Sequence, residues 1–518
     1  MNHMGLHTSD YATMVLYLLA VVALGAWFSR GEQNTETYLL GGRSMRWWVV
    51  GISYMVSLLS TASIVSIPGY AYAHGVTMAL KMLLVPVVAV GAFYIFTRFY
   101  FRSGTFTPFQ YLESRFDGRV RALAAGLYLV TRISYLAVVL FSSAIVFEGT
   151  SNWPAEWTIL LIGTIGIGYT VVGGIRAVIW TDFTQFLILV VGLGIVVFKS
   201  MQEVPGGAVG IVEYAFQNGR GMPELTQASF WSFDPHVDIT LWMLIGLVVG
   251  HYFFYSSSDQ IAIQRLLSTS GYQQAKRSLF MAVALNVVIA MMLWFLGLAM
   301  FAFYAYQPPD LRPSSPDLAL FQFISTELPS PLPGLILSAM LAAVMSTLDS
   351  GMNSLATVAT KDFYLRFYRP SASEHVQVRF SRWMTLIIGL FSVAAAIGIA
   401  RVSKSVESTI MEAAGVFMAL MNVLPPIFLL GMTSRRATAG HALMAALVGW
   451  AVTVAMTVWY FSSQTTDQPI SFLYVGSAGL VVTLIVGCSL AWFAKPLPAD
   501  QLEQLTLWTW KKDKAHDE

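Results

Sequence analysis

The feature that most constrains this chain is its series of long apolar stretches, which follow one another along almost the whole sequence. A transmembrane helix needs about 20 mostly apolar residues to cross roughly 30 Å of hydrocarbon. Thirteen stretches of this kind are present, at residues 10–29, 47–71, 76–100, 122–148, 155–173, 178–199, 239–258, 278–305, 332–360, 382–400, 406–431, 438–461 and 471–494. The pattern predicts an all-α polytopic membrane protein with about 13 transmembrane helices.

The composition supports this class and excludes several others. Of 518 residues, 56% are hydrophobic and only 11% are charged, whereas a soluble domain has roughly 25% charged residues. A net charge of +2 provides no extended field for a nucleic-acid partner. The single cysteine, Cys488, can form no internal disulfide. Because the sequence has no ATP-binding loop, zinc motif or soluble catalytic domain, we predict that the protein is not an enzyme.

The distribution of basic residues predicts the orientation. If the N-terminus is outside, the connections that face the cytoplasm hold 23 of the 30 Lys and Arg residues, and the outer connections hold five. Basic residues concentrate on the cytoplasmic side of membrane proteins. We therefore predict an outside N-terminus and a cytoplasmic C-terminus, and we read the first span as a retained helix because no small-residue cleavage site follows it.

The ninth span contains the polar sequence STLDSGMNS. Ser346, Asp349, Ser350 and Asn353 fall at i, i+3, i+4 and i+7, which places them on one helix face. Small and hydroxylated residues often pack helices together, but an ionisable side chain within a membrane marks an ion path or a paired charge. The stripe predicts either a site for a small hard cation such as sodium, built from oxygen atoms, or a structural ion pair at Asp349.

Two further segments have two possible interpretations each. In SLLSTASIVSIPGY, a helix interruption before Pro68 and Gly69 either exposes backbone carbonyls that can bind a cation or is a simple proline kink. In VVGGIRAVIWTDFTQ, Asp182 either caps the sixth span at its N-terminus or belongs to a polar site. The sequence alone leaves both choices open.

Lys81 and Arg132 are the two basic residues that remain within the predicted spans. They can pair with Asp349 or Asp182, or they can hold an anionic solute, with the planar guanidinium of Arg132 gripping a carboxylate in a bidentate contact. Tyr255, in the segment GHYFFYSSSDQIAIQR, is a further candidate for the solute site. Most aromatic residues at such positions have packing or interface roles.

Five segments of the chain resemble the solute:sodium symporter family, which includes bacterial sodium/galactose, sodium/proline and sodium/sialic acid transporters. They are YLLGGRSMRWWVVGISYMVSLLSTASIVSIPGYAY, TPFQYLESRFDGRVR, YTVVGGIRAVIWTDFTQ, SDQIAIQR and LAAVMSTLDSGMNSLATVATKDFY. The resemblance implies ten core helices at residues 47–431, arranged as two inverted five-helix repeats (a LeuT-like fold) whose discontinuous first helices lie at 47–71 and 239–258. An extra helix precedes the core in residues 1–46, and two helices and a cytoplasmic tail follow in 432–518.

The resemblance also implies where the coupling ions bind. The main sodium site would use backbone carbonyls of a broken helix and oxygen atoms of the eighth core helix, which correspond here to Val56, Leu59, Ala343, Ser346 and Thr347. A second site, found in some members, would draw on Ser346, Asp349, Ser350 and Asp182. Asp349 stands where two-sodium members have a hydroxyl residue, so this site binds sodium or carries a proton. We accordingly expect one or two coupling sodium ions.

The members that transport sialic acid place an arginine against the substrate carboxylate, and Arg132 in LVTRISYLAVV matches it. Ser60 and Ser63 match polar substrate contacts. Several positions depart from that pattern: Leu58, Met78, Met82 and the additional Lys81. We therefore predict a sodium-coupled symporter in a bacterial-type plasma membrane that imports a small organic solute, carboxylate-bearing, such as sialic acid or a monocarboxylate. A neutral sugar or amino acid is the alternative cargo, and a membrane sensor or a channel is the alternative class.

Overall fold

The computed structural model describes residues 7–28, 34–59, 61–151, 153–237, 239–402, 419–464, 470–471 and 473–509. Within these ranges the regular structure is helical. The α-helices are α1 (Thr8–Phe28), α2 (Thr35–Leu40), α3 (Trp47–Leu58), α4 (Thr61–His74), α5 (Lys81–Ser103), α6 (Phe109–Arg115), α7 (Gly118–Ser151), α8 (Ala155–Glu203), α9 (Gly207–Gln217), α10 (Leu241–Ser257), α11 (Gln260–Leu267), α12 (Tyr272–Ala305), α13 (Ala319–Glu327), α14 (Leu332–Val358), α15 (Glu374–Val402), α16 (Leu424–Thr433), α17 (Ala439–Ser463) and α18 (Leu473–Trp492). The prediction of an all-α chain is confirmed.

The number of membrane spans is close to the prediction. In the described part of the chain, nine helices are long and apolar enough to cross a bilayer, or eleven if each of two bent helix pairs is one span. Helix α8 has 49 residues, which at 1.5 Å per residue is about 70 Å long and more than twice a hydrocarbon core. It bends at Gly174 (φ 51°, ψ −168°) and therefore corresponds to the two predicted spans 155–173 and 178–199. The predicted span 406–431 is described only from residue 419 onwards, so the count of 13 stays a prediction.

The first broken span consists of α3 and α4, which meet at an angle of 55°. Helix α3 ends where Leu59 adopts an extended conformation (φ −103°, ψ 106°). Pro68 lies inside α4 and not at the break. The interpretation of this segment as a simple proline kink is therefore wrong, and the predicted interruption lies further upstream.

The second broken span consists of α10 and α11, which meet at an angle of 50°. The side chain of Asp259 lies in the break and accepts a hydrogen bond from the Ile261 N–H (3.0 Å), so it caps the N-terminus of α11. The prediction of two broken helices is confirmed by these two bent pairs. The second pair extends to Leu267, so its break lies at the end of the predicted range 239–258 and its second half lies beyond that range.

Helix α14 is the most enclosed of the nine single-helix spans in the described part of the chain. It contacts α1, α3, α4, α7, α8, α11 and α15, and every residue from Ile336 to Val358 is buried. Gly351, for example, lies against Leu136 of α7. Small residues allow helices to approach closely inside a membrane. The polar stripe is therefore surrounded by protein, and the prediction that it does not face lipid is confirmed.

Candidate functional site

The end of α3 and the middle of α14 carry the five residues predicted for the main sodium site. The Val56 carbonyl accepts a hydrogen bond from the Leu59 N–H (3.0 Å). On α14, the Ala343 carbonyl accepts hydrogen bonds from the hydroxyls of Ser346 (2.9 Å) and Thr347 (3.0 Å). Helix α14 contacts both α3 and α4, the helices on either side of the break. Binding of sodium by these residues stays a prediction.

An ion pair that the sequence analysis missed lies beside the polar stripe. The guanidinium of Arg265, on α11, donates to the Asp182 carboxylate at 2.8 Å and also to the Ser350 hydroxyl. Ser53 donates to the same carboxylate oxygen at 2.5 Å. Asp182 and Arg265 are both completely buried. The hydrogen bonds and the ion pair together offset the cost of removing both charges from water.

This ion pair corrects two interpretations of the sequence. Asp182 lies in the interior of α8, eight residues beyond the bend at Gly174, so the reading of Asp182 as a helix cap is wrong. Arg265 belongs to a segment that the charge analysis treated as an exposed cytoplasmic connection. The available signal was the apolar context of QIAIQRLL, because the apolar residues on both sides of the arginine favour burial of the segment and a buried arginine needs a charged partner.

Asp349 has a different environment from Asp182. Its carboxylate accepts a hydrogen bond from the Tyr169 hydroxyl of α8 at 2.6 Å, and it is completely buried. Among the described residues, its second oxygen and one oxygen of Asp182 have no hydrogen-bond partner. The residues predicted for a second cation site thus gather around Arg265 and Tyr169, and two carboxylate oxygens there are available to a further ligand.

Arg132, one of the predicted solute ligands, pairs with neither Asp182 nor Asp349 in the described structure. Its guanidinium donates to the Asp259 carboxylate at 3.3 Å and lies over the ring of Tyr135, 4.9 Å from the centroid. Asp259 also accepts a hydrogen bond from the Tyr128 hydroxyl (3.0 Å). The acid that pairs with Arg132 was therefore not identified from the sequence.

The other predicted solute ligands lie on α4, α5 and α10. Tyr255 is buried, and its ring contacts the ring of His251 with centroids 4.5 Å apart. Lys81 begins α5, and Ser63 lies in the first turn of α4. Helices α5 and α10 pack against each other. Ser60 lies outside the described residues.

A second group of charges lies at the ends of the spans that the sequence assigns to the cytoplasmic side. Glu113, on α6, accepts hydrogen bonds from Arg121 (2.5 Å) and Arg366 (2.6 Å), and Arg121 also pairs with Asp362 at 2.7 Å. Burial raises the pKa of Glu113, but the two arginines outweigh burial and hold that pKa below its usual value. This network joins α6, α7 and the π-helical segment Ala359–Tyr368 that continues α14.

Two helices broken inside the membrane, together with an enclosed polar helix between them, define a membrane transporter in which backbone and side-chain oxygens can meet a solute or an ion near the midplane. A family model described as the sodium:solute symporter family matches residues 38–449. The chain therefore belongs to the sodium:solute symporter family.

Individual relatives agree with this assignment. The chain is 28% identical over 508 residues to the sodium/sialic acid symporter NanT of Aliivibrio fischeri, covering 96% of each chain. It is 28% identical to the sodium/sialic acid symporter SiaT of Proteus mirabilis, over 95% of this chain and 96% of that one. It is 27% identical to human sodium-coupled monocarboxylate transporter 1, over 86% of this chain and 72% of the relative.

Solved structures give the same fold. A Na⁺-coupled sialic acid symporter, in a substrate-bound outward-open state, superposes with a TM-score of 0.83 at 27% identity, over 95% of this chain and 99% of that chain. The nucleobase-cation-symport-1 family transporter Mhp1, 12% identical, superposes with a TM-score of 0.56 over 92% of this chain and 98% of that chain, which is a likeness of fold alone. The predictions of the family and of the LeuT-like fold class are confirmed.

Proposed function

We propose that the protein uses an inward sodium gradient to import a small organic solute that carries a carboxylate. Sialic acid is the first candidate cargo and a monocarboxylate such as pyruvate is the second. The observation that carries the proposal is the presence of two basic side chains, Lys81 and Arg132, within the helices that span the membrane. Such residues are costly in a bilayer and usually mark the path of a substrate.

The identities of the relatives support the choice of a carboxylate. Two relatives that match 95% or more of this chain carry the name sodium/sialic acid symporter, and a third is named a monocarboxylate transporter. Both kinds of cargo are carboxylates. Met78, Met82 and Lys81 depart from the pattern of the sialic acid transporters. The part of the solute beyond its carboxylate can therefore be that of sialic acid or that of a smaller monocarboxylate.

Coupling would follow from the contact between α3 and α14. Sodium held by Val56, Leu59, Ala343, Ser346 and Thr347 would join the two helices and favour the conformation in which the solute site is assembled. A ligand shifts a conformational equilibrium only by its differential affinity for the two states. The membrane potential supplies about 2.3 kcal/mol per charge for each 100 mV, so one sodium ion can drive considerable accumulation.

A second coupling ion would bind near Asp182, Asp349 and Ser350. One oxygen of each carboxylate has no hydrogen-bond partner among the described residues, which favours a cation there. The guanidinium of Arg265 already balances the charge of Asp182.

We also propose that the protein resides in the plasma membrane of a bacterial-type cell, with its N-terminus outside and its C-terminus in the cytoplasm. Basic residues are concentrated on the connections that would then be cytoplasmic.

The test is transport by the purified protein in liposomes that contain a potassium buffer. With sodium outside, radiolabelled sialic acid or pyruvate should accumulate inside above its external concentration, and an ionophore that collapses the sodium gradient should abolish that accumulation. A channel would bring the solute only to equal concentrations. If galactose is accumulated in preference to both acids, the cargo is neutral and the carboxylate proposal is wrong.

A further inference from the structure

The two basic side chains proposed for the solute site differ in how their charge is balanced. Arg132 forms an ion pair with Asp259 (3.3 Å), stacks over Tyr135 and is only 1% exposed. Its positive charge is therefore neutralised within the protein, and its guanidinium is covered. Asp259 contacts the guanidinium at one nitrogen, Nη2, so a solute carboxylate that reached Arg132 would share its positive charge with Asp259.

Asp259 is itself held firmly in place. It accepts hydrogen bonds from the Tyr128 hydroxyl (3.0 Å) and from the Ile261 N–H (3.0 Å), and it is completely buried. Removing one member of a buried ion pair leaves the other charge uncompensated at a large cost. The Arg132–Asp259 pair consequently joins α7 to the break between α10 and α11 as part of the framework.

Lys81 has no such partner among the residues that the structure describes. Within the part of the chain that the structure describes, its ammonium group forms no ion pair and no hydrogen bond. The side chain is only partly buried. A charged amine that is partly accessible and unpaired inside a membrane-spanning helix is available to bind an anion.

The accessible part of Lys81 faces protein rather than lipid. Lys81, Val85 and Ala89 lie at i, i+4 and i+8 on one face of α5, and Val85 and Ala89 are 2% and 0% exposed. The lipid face of α5 is marked instead by Leu83 and Val87, which are each 74% exposed. The ammonium group therefore belongs to the buried face of the helix.

His251 connects Lys81 with the proposed solute site. Lys81 lies on α5, which packs against α10, and Arg132 pairs with Asp259 just after the end of α10. The His251 ring of α10 contacts the ring of Tyr255 (4.5 Å). Lys81, Arg132, His251 and Tyr255 thus share one region around α10. Because Asp259 cancels the charge of Arg132, the described acidic and basic side chains of this region leave one net positive charge, on Lys81.

We propose that Lys81 is the residue that binds the solute carboxylate, that the solute carries a single negative charge, and that the Arg132–Asp259 pair only positions the surrounding helices. This inference rests on the proposed function and assigns the roles of its two basic residues. One uncompensated positive charge can pair with the single negative charge of a monocarboxylate. The second negative charge of a dicarboxylate would have no partner in this buried site.

The experiment measures how well the transporter distinguishes a carboxylate from its neutral ester. Sodium-driven uptake of radiolabelled sialic acid into liposomes is competed with unlabelled sialic acid, with its methyl ester and with the dicarboxylate succinate. The variants are Lys81→Met, which removes the charge, Lys81→Arg, which keeps it, and the double variant Arg132→Gln/Asp259→Asn, which removes the neutral pair together and retains an Asn at the N-cap of α11. Folding is checked by the thermal stabilisation that sodium alone produces.

We expect Lys81→Met to reduce the preference for acid over ester by about tenfold or more, since a charge-assisted hydrogen bond is lost. Lys81→Arg and the double variant should keep most of that preference, and succinate should compete poorly with the wild type. If Lys81→Met is not folded, Lys81→Gln takes its place. The inference is overturned if the charge-removing Lys81 variant retains the preference, if the double variant loses it, or if succinate is the better competitor. Failure of the proposed function is a different result, in which the wild type accumulates no carboxylate at all.

Discussion

The hydroxyl of Thr347 shows how a side chain can form a hydrogen bond within its own helix and still keep oxygen lone pairs for another ligand. It donates its proton to the Ala343 carbonyl (3.0 Å), so its oxygen lone pairs remain available to a cation. Ser338 makes the same kind of bond one helical segment earlier, to the Gly334 carbonyl (2.7 Å). Both residues are buried on α14, and only Thr347 belongs to the proposed sodium site.

We predict that Thr347→Ala raises the sodium concentration needed for half-maximal uptake by about tenfold, because one oxygen ligand is removed from a site with few ligands. The measurement is sodium-dependent uptake of the transported acid into liposomes. Ser338→Ala is the matched control and should leave the sodium dependence unchanged. An unchanged sodium dependence in Thr347→Ala would remove this residue from the site.

Single residues also show the limits of the sequence at this scale. The i, i+3, i+4, i+7 spacing of Ser346, Asp349, Ser350 and Asn353 was sufficient to predict a buried polar face. The partners of the charged residues were not predictable, because Arg265 meets Asp182 from a helix 83 residues away in the chain. Periodicity within one helix contains no information about which distant side chain approaches it.

At the scale of elements, the bend in α8 depends on the backbone of Gly174. Its dihedral angles (φ 51°, ψ −168°) lie in a region that residues with a Cβ atom rarely adopt. This bend allows a single 49-residue helix to serve as two spans. Asp182 and Tyr169 lie on either side of it, so its angle also affects the contacts of Asp349.

We predict that Gly174→Ala destabilises the protein by about 1–3 kcal/mol, the usual cost of such a strained backbone conformation. The matched control is Gly168→Ala in the same helix, where an added Cβ would meet no atom within 4 Å and no loss is expected. Equilibrium unfolding in mixed micelles measures both. Equal effects of the two substitutions would show that the bend tolerates a side chain.

Helix boundaries were predicted well where a change in hydropathy marks them. They were predicted poorly where a helix breaks within a continuous apolar stretch. Helix α14 begins at Leu332, at the predicted residue. The break in the first broken span, in contrast, follows Leu58, ten residues before Pro68, the residue that suggested it. Pro68 is tolerated inside α4 because neighbouring helices can supply hydrogen bonds to the backbone groups that a proline leaves unpaired in a membrane. It therefore marked the break only indirectly.

At the scale of the whole molecule, the network of Glu113, Arg121, Arg366 and Asp362 joins segments that are far apart in sequence. The pKa of Glu113 lies below its usual value in the folded protein, since burial is outweighed by the hydrogen bonds from Arg121 and Arg366. A lowered pKa in the folded state means that the ionised form stabilises the fold at neutral pH. That contribution is lost as the pH falls through the lowered pKa.

We predict that the melting temperature in detergent decreases as the pH is lowered from about 5 to about 3, and that Glu113→Gln makes this decrease smaller while lowering the melting temperature at pH 7. Glu213→Gln, at an exposed position of α9, is the control and should change neither value. A Glu113→Gln protein with the same pH dependence as the wild type would show that this network does not contribute to stability in that range.

The amino-acid sequence by itself determined that the chain is a helical membrane protein, where most spans lie, and which polar residues are too costly to face lipid. These properties depend on the free energy of placing each local segment in hydrocarbon, and a local segment is visible in the sequence. Only the tertiary structure decided that Arg132 is neutralised by Asp259, that Arg265 pairs with Asp182, and that Lys81 has no ion-pair partner among the described residues. Those outcomes depend on short-range electrostatic contacts between distant segments, which form only after the helices have packed.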